Sequence, residues 1–261
     1  MKIAVCGKGG SGKSTVVALL AKRFRKIGTR VLLIDSDESN SGLHWMLGFD
    51  RPPSPLMDFV GGKRRLQESM SARFSRGESE PEMSIFRWEE IPSADIPGDY
   101  MVESDGLRLV AIGKILQSLE GCACPMGTLS KEFLKKLRLE ENEIAVVDME
   151  AGIEHFGRGI ETSIDRVVVV VEPSLESLSL AQKIKDLAIS SGAGFTGAIL
   201  NKVTSQEISS HLENELAKRE VRIIGSIPYR HEIFSDCLSG QSISPASAEV
   251  EVYGIVKALQ D

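Results

Sequence analysis

The residues with the clearest chemical purpose form a glycine-rich segment near the N-terminus, Gly7-Lys8-Gly9-Gly10-Ser11-Gly12-Lys13-Ser14-Thr15. An apolar run precedes it and a helical pattern follows it, which predicts a strand-to-helix junction. Glycines allow successive backbone N–H groups to surround a phosphate, and the helix N-terminus adds positive partial charge. The spacing therefore predicts a phosphate-binding loop, in which Lys13 reaches the β- and γ-phosphates and Ser14 binds Mg²⁺. Lys8 is an additional lysine, at a position that the basic motif leaves open.

Carboxylates follow two predicted strands. Asp37 belongs to the segment Asp35-Ser36-Asp37-Glu38-Ser39-Asn40, and Asp148 ends the apolar run Ile144-Ala145-Val146-Val147. The carboxyl ends of parallel strands are where α/β folds bind ligands. We expect Asp37 to orient an attacking water or to bind Mg²⁺ through water, and Asp148 to bind Mg²⁺ through water as a Walker-B-type acid. A helix N-cap for the segment containing Leu43–Leu47 is the alternative for the first group.

Length and charge restrict the class of protein. The chain has 261 residues, with 31 Lys+Arg against 37 Asp+Glu, and a net charge of −6. This balance argues against nucleic acid as a partner through bulk charge. Without a stretch of 18 apolar residues we expect no transmembrane helix, and the early strand leaves no room for a signal peptide. We therefore expect a cytoplasmic protein.

Short β-branched runs alternate with helical patterns along the chain, which predicts an α/β fold with a doubly wound, mostly parallel sheet. The predicted strands are Lys2–Cys6, Val31–Asp35, Arg108–Ile112, Ile144–Asp148, Arg166–Val171, Ala198–Asn201 and Ile223–Ile227. The predicted helices are Lys13–Ile27, Leu129–Leu137, Leu175–Ser190, Ser205–Arg219 and Ala248–Leu259. We interpret 1–261 as a single P-loop domain.

Residues 50–106 interrupt this alternation with several prolines, the basic run Lys63-Arg64-Arg65 and the acidic stretch 77–82. We interpret them as an insertion between the second and third core strands, part helical and part loop. Long insertions of this kind often serve as lids or partner surfaces, or are disordered. A solvated face is the simpler interpretation of the basic run.

Four cysteines are present, and two of them are close together: Cys122 and Cys124, in a Gly/Pro-containing segment before a predicted helix. Two thiolates cannot complete a tetrahedral site, but two pairs from two subunits could. Such a site suits Zn, Cu(I), an iron–sulfur cluster or, when square-planar, Ni(II). A redox pair or small buried residues are the alternatives. We assign no metal role to Cys6 or Cys237.

The segment Gly7–Thr15, with its early lysine, resembles the deviant Walker A box of the MinD/ParA group of ATPases. The resemblance implies a P-loop fold and a homodimer in which Lys8 contacts the ATP of the opposite subunit, as an arginine finger does. It also implies that Asp37 positions the hydrolytic water, with Asn40 as its polar partner. The implied reaction is hydrolysis of ATP to ADP and phosphate, with Mg²⁺.

The same resemblance extends to the C-terminal half. Asn201, in Leu200-Asn201-Lys202, matches the asparagine that reads adenine in the group, and Pro228 and Tyr229 match the loop that covers the base. These matches span the chain apart from the insertion at 50–106.

The Cys-x-Cys pair beside a deviant Walker box resembles the CooC-type nickel-insertion ATPases, which mature carbon monoxide dehydrogenase. The segment Asp148–Gly159 also resembles that family's Asp-x-Glu-Ala-Gly-x-Glu-His stretch. The resemblance implies that Cys122 and Cys124 bind Ni²⁺ or Zn²⁺ between subunits, and that ATP hydrolysis drives delivery to an apo nickel enzyme. For His155, a solvated or capping imidazole is the simpler interpretation.

Two other classes stay open on the sequence. An iron–sulfur electron-transfer or scaffold ATPase, of the nitrogenase-reductase or Mrp type, would also use interfacial cysteines, although with other spacings. A MinD-like positioning ATPase would need a basic amphipathic anchor, whereas the tail 249–261 is short and acidic, so we expect no stable membrane anchor.

Overall fold

The structure is a computed structural model that describes residues 1–37, 42–74, 85–113, 124–151 and 163–261, without the side chains of 69–74 and of Cys124. Its strands are β1 Lys2–Gly7, β2 Arg30–Asp35, β3 Ile91–Pro92, β4 Val102–Ser104, β5 Leu107–Ala111, β6 Leu137–Arg138, β7 Glu143–Asp148, β8 Arg166–Val171, β9 Phe195–Val203 and β10 Ile223–Pro228. Its helices are α1 Lys13–Lys26, α2 Leu43–Leu47, α3 Leu56–Phe59, α4 Lys63–Phe74, α5 Cys124–Lys136, α6 Leu175–Ser190, α7 Gln206–Lys218, α8 His231–Ser239 and α9 Glu249–Gln260.

The main sheet places β1 at its centre. Within the described residues the strand order is β10-β9-β8-β1-β7-β2-β5-β4. Every neighbouring pair is parallel except the last one, in which the edge strand β4 runs antiparallel to β5. Because β1 pairs with both β7 and β8, the loop after β1 opens at the middle of the carboxyl edge, where α/β sheets bind ligands.

Apolar side chains alternate between the two faces of β1. Ile3 and Val5 belong to the cluster that α1 and α9 cover, whereas Ala4 and Cys6 belong to the cluster that α5, α6 and α7 cover. Burial on both faces explains the uninterrupted apolar composition of the central strands. The predicted fold class, a doubly wound and mostly parallel sheet, is confirmed.

The segment 50–106 packs against the main body. Its buried residues share a hydrophobic cluster with α5: Leu56, Met57, Leu66, Phe86, Ile91 and Ile96. The carboxylate of Glu132 on α5 accepts hydrogen bonds from the backbone N–H groups of Ile85 and Phe86, at 2.8 and 3.0 Å. Strand β4, also in this segment, extends the main sheet as its antiparallel edge.

The structure differs from the sequence-based elements in several places, and the segment 50–106, interpreted as part helical and part loop, also contains the short strands β3 and β4. Helix α5 begins at Cys124, five residues before the predicted start at Leu129, so that Cys124 belongs to the helix itself. Strand β9 is longer than predicted because its flanks also pair with β8 and β10. Helix α8 was not predicted, although its apolar residues have helical spacing.

Candidate functional site

The glycine-rich loop joins β1 to α1 and turns tightly through two glycines with left-handed backbone. The φ angles are +81° at Gly10 and +92° at Gly12, values that other residues rarely adopt. The backbone N–H of Ser11 donates to the carbonyl of Lys8 at 3.1 Å, which closes the turn. The predicted strand–loop–helix junction is therefore present, and the loop can present its N–H groups to an anion.

Asn201 fixes this loop to the end of β9. Its side-chain amide donates to the carbonyl of Ser11 at 2.8 Å. A Cβ at Gly12 would lie 2.3 Å from the same amide nitrogen. Glycine is therefore required at position 12 for two reasons: the backbone is left-handed there, and the Asn201 side chain approaches too closely for a Cβ. The adenine-reading role of Asn201 stays a prediction.

Lys13 and Asp37 face each other in a buried environment. The Lys13 ammonium lies 3.9 Å from the Asp37 carboxylate, and both side chains are almost fully buried. The N-cap residue of α2 is Gly42, so the alternative in which Asp37 occupies that position is wrong.

Asp148 is completely buried at the end of β7, beside Asp35 at the end of β2. Burial raises the pKa of Asp148 to about 7; the Asp35 and Asp37 carboxylates also raise it, whereas Ser14 and Lys13 lower it. Within the described ranges neither carboxylate oxygen has a partner with good hydrogen-bond geometry. A buried carboxylate in this condition is suited to binding a cation or an ordered water.

These oxygen groups fit Mg²⁺. Ser14 offers a hydroxyl, and Asp37 and Asp148 offer carboxylates, the ligand types that Mg²⁺ prefers. The described part of the chain has no group of three or more His, Cys, Asp or Glu close enough to bind a metal ion. Mg²⁺ in proteins commonly retains waters and binds substrate phosphates with one or two carboxylates, so this sparse set suits it.

Lys8 lies against carboxylates of its own chain. Its ammonium is 2.9 Å from Glu176 and 3.4 Å from Glu172, both near the N-terminus of α6. Lys202 reaches the same place: it lies 3.4 Å from Glu172 and donates to the carbonyl of Gly10. Two lysines and two glutamates thus flank the phosphate loop on the side of β8.

A cavity of about 430 Å³ opens beside the loop, large enough for a small-molecule cofactor. It brings together predicted site residues that are distant in sequence: Gly9, Gly10, Gly12, Lys13, Ser14, Thr15, Asp37, Asn201, Pro228 and Tyr229. Asp148 is buried and Lys8 faces α6, and neither lines this cavity. The backbone N–H of Tyr229 donates to Val203 at 2.8 Å, which fixes the Pro228–Tyr229 segment beside β9.

The lining residues that were not predicted from the sequence include Lys202, Arg230, Phe234 and Cys237. Lys202 follows Asn201 directly, and its left-handed φ of +59° is unusual for a lysine. The other three belong to or precede α8, whose helical periodicity would have revealed them. The thiol of Cys237 lies 3.9 Å from the hydroxyl of Thr15.

Several predicted residues lie outside the described part of the chain. They are Cys122, Asn40 and His155, together with the side chain of Cys124. Of the other cysteines, Cys6 is buried in the core and Cys237 is exposed. None of the described helices combines the length and apolarity that a membrane crossing requires.

Comparison with known families gives a match over residues 2–243 to the CobQ/CobB/MinD/ParA nucleotide binding domain, CbiA. An uncharacterized ATP-binding protein of Methanocaldococcus jannaschii is 41% identical over 251 residues, which cover 96% of this chain and 97% of the relative. The carbon monoxide dehydrogenase accessory protein CooC of Rhodospirillum rubrum is 32% identical over 262 residues, covering 99% and 96%.

Solved structures agree with the fold. The septum site-determining protein MinD of Pyrococcus horikoshii, complexed with Mg-ADP, superposes with a TM-score of 0.70 at 17% identity, covering 100% of this chain and 96% of that one. At such identity the likeness concerns the fold. The family match and the relatives together show that the chain belongs to the CobQ/CobB/MinD/ParA nucleotide-binding family and is an ATPase of the MinD/ParA type.

Proposed function

We propose that this ATPase is a homodimeric metallochaperone that binds Ni²⁺ or Zn²⁺ through Cys122 and Cys124 of both subunits. Its client would be carbon monoxide dehydrogenase or a related nickel enzyme. One observation carries the proposal: a chain with a Cys-x-Cys pair is 32% identical to CooC over nearly its whole length. Two thiolates per chain suit a four-thiolate metal site that a second copy of the chain completes.

The position of Cys124 gives this proposal a mechanical basis. Cys124 is the first residue of α5, and Ser130 of the same helix lies with its hydroxyl 3.0 Å from that of Ser36. Ser36 separates Asp35 from Asp37, and its backbone N–H donates to the carbonyl of Asp148 at 3.0 Å. Ser130 is buried, so its side chain has little room to move independently of α5. A shift of the segment after β2 would therefore be transmitted through the contact between Ser36 and Ser130 to α5.

Hydrolysis would use the residues around the loop. The loop N–H groups and Lys13 would bind the phosphates, and Asp37 would orient the water for in-line attack on the γ-phosphate. Mg²⁺, when bound, would offset phosphate charge beside Ser14, Asp37 and Asp148. Lys8 of the second subunit would supply further positive charge in the transition state.

Metal titration tests the proposal. Ni²⁺ or Zn²⁺ is added to the purified protein with a non-hydrolysable ATP analogue, while dialysis measures bound metal and light scattering measures mass. We expect one ion per dimer at the shared site. In Cys122→Ser/Cys124→Ser this ion should be lost, because thiolates are the soft ligands that such metals require.

Cys6→Ala is the matched control, since it removes a thiol outside the pair and outside the nucleotide cavity and should still bind one ion per dimer. One ion per monomer that persists in Cys122→Ser/Cys124→Ser would contradict a shared thiolate site. A brown protein with visible charge-transfer absorption would instead support an iron–sulfur ATPase.

A further inference from the structure

The environment of Lys8 suggests a regulatory contact that rests on the proposed trans role of this lysine. Its ammonium is bound within its own chain by Glu176, at 2.9 Å, and by Glu172, at 3.4 Å. We infer that Glu176 and Glu172 restrain Lys8 in the monomer, and that this contact must break before Lys8 can reach the nucleotide of a second copy.

The two carboxylates differ in exposure. Glu172 is mostly buried, with 19% of its side chain exposed, and its backbone N–H donates to the hydroxyl of Ser177 at 3.2 Å. Glu176 is 77% exposed, on the first turn of α6. Glu172 is therefore a fixed anchor, whereas Glu176 can rotate away from Lys8 at little cost.

Charge explains why the contact is inhibitory. Lys202 also binds Glu172, at 3.4 Å, so that two lysines and two glutamates compensate one another. The hydrogen bonds from Lys8 to Glu176 and Glu172 raise the pKa of Lys8 and so stabilise its charged form in place. An approaching nucleotide phosphate meets an ammonium that is already paired, beside an exposed carboxylate of the same sign as itself.

The restraint is weak enough to act as a switch. An exposed ion pair typically changes an equilibrium by about two- to fivefold. A symmetric dimer must release two copies of Lys8, so we expect the Glu176 contacts to weaken dimerisation by about four- to twentyfivefold in total.

The substitution Glu176→Gln tests this inference, because it removes the charge and keeps the shape. Sedimentation measures the dimer dissociation constant with a non-hydrolysable ATP analogue, and we expect it to fall about four- to twentyfivefold. Glu207→Gln is the matched control: Glu207 has the same place on α7, two residues after the capping Ser205, whereas the ion pairs of Lys8 are with Glu172 and Glu176. It should leave the dissociation constant unchanged.

The Glu176→Gln substitution is then made in a Lys8→Ala protein. In this background it should no longer tighten the dimer, because the Lys8 ammonium that Glu176 restrains is absent. A Glu176→Gln variant with wild-type or weaker dimerisation would overturn the restraint and leave the proposed function intact. A wild-type protein that forms no dimer with the analogue would contradict the proposed homodimer itself. In that case the Lys8 ammonium, labelled by reductive methylation, still reports on the contact: an unchanged pKa in Glu176→Gln would overturn the restraint independently.

Discussion

The amide of Asn201 donates a 2.8 Å hydrogen bond to the carbonyl of Ser11, 190 residues earlier in the chain. This bond joins the end of β9 to the phosphate loop after β1. It therefore connects the segment that would contact the base directly to the segment that would bind the phosphates. Its close approach is possible because Gly12 has no side chain.

The first prediction concerns the two loop glycines with left-handed backbone. Gly12→Ala should destabilise the protein more than Gly10→Ala, since both incur left-handed strain of about 1–2 kcal/mol but only Gly12→Ala also clashes with Asn201. At Gly10 a Cβ would have nothing within 4 Å. Urea unfolding of both variants measures the difference. Equal losses of unfolding free energy in the two variants would contradict the prediction and show that Asn201 can move aside without cost.

The second prediction tests whether Lys8 acts across the dimer. Lys8→Ala and Asp37→Asn should each hydrolyse ATP at least about 10²-fold more slowly, because each lacks a group needed in the transition state. An equal mixture should recover about a quarter of wild-type turnover, since half the dimers are mixed and each has one complete site. Phosphate release measures turnover. A mixture as inactive as its components would contradict action in trans.

The third prediction concerns Asp148, whose folded-state pKa of about 7 lies above the ordinary 3.8. Between pH 3.8 and about 7 the native state binds more protons than the unfolded state. The free energy of unfolding should therefore fall as the pH rises through this range. The slope is at most about 1.4 kcal/mol per pH unit. The measurement is urea unfolding from pH 5 to 8 without nucleotide or Mg²⁺.

Asp148→Asn serves as the comparison for this slope. It should flatten the pH dependence and be more stable than wild type at pH 8, while hydrolysing ATP poorly because the carboxylate is absent. A wild-type slope retained in Asp148→Asn would assign the titration to another group.

The fourth prediction concerns the hydroxyl pair that joins Ser36 to Ser130 of α5. If this contact couples the nucleotide to the proposed metal site, Ser130→Ala should reduce the change in Ni²⁺ affinity that an ATP analogue causes, by about threefold or more. Nucleotide binding itself should change little. Calorimetric Ni²⁺ titrations with and without the analogue provide the measurement. Ser190→Ala, at the distant end of α6, is the control.

The sequence by itself determined the family, the alternating α/β order and the loop from Gly7 to Thr15, because each depends on local spacing and composition. The fold class and family are confirmed. Only the tertiary structure decided which distant residues meet. Lys8 binds Glu172 and Glu176, Asn201 binds Ser11, and α8 brings Phe234 and Cys237 to the cavity. Such contacts depend on strand order and on the packing of helices, and the linear spacing of residues does not encode them locally.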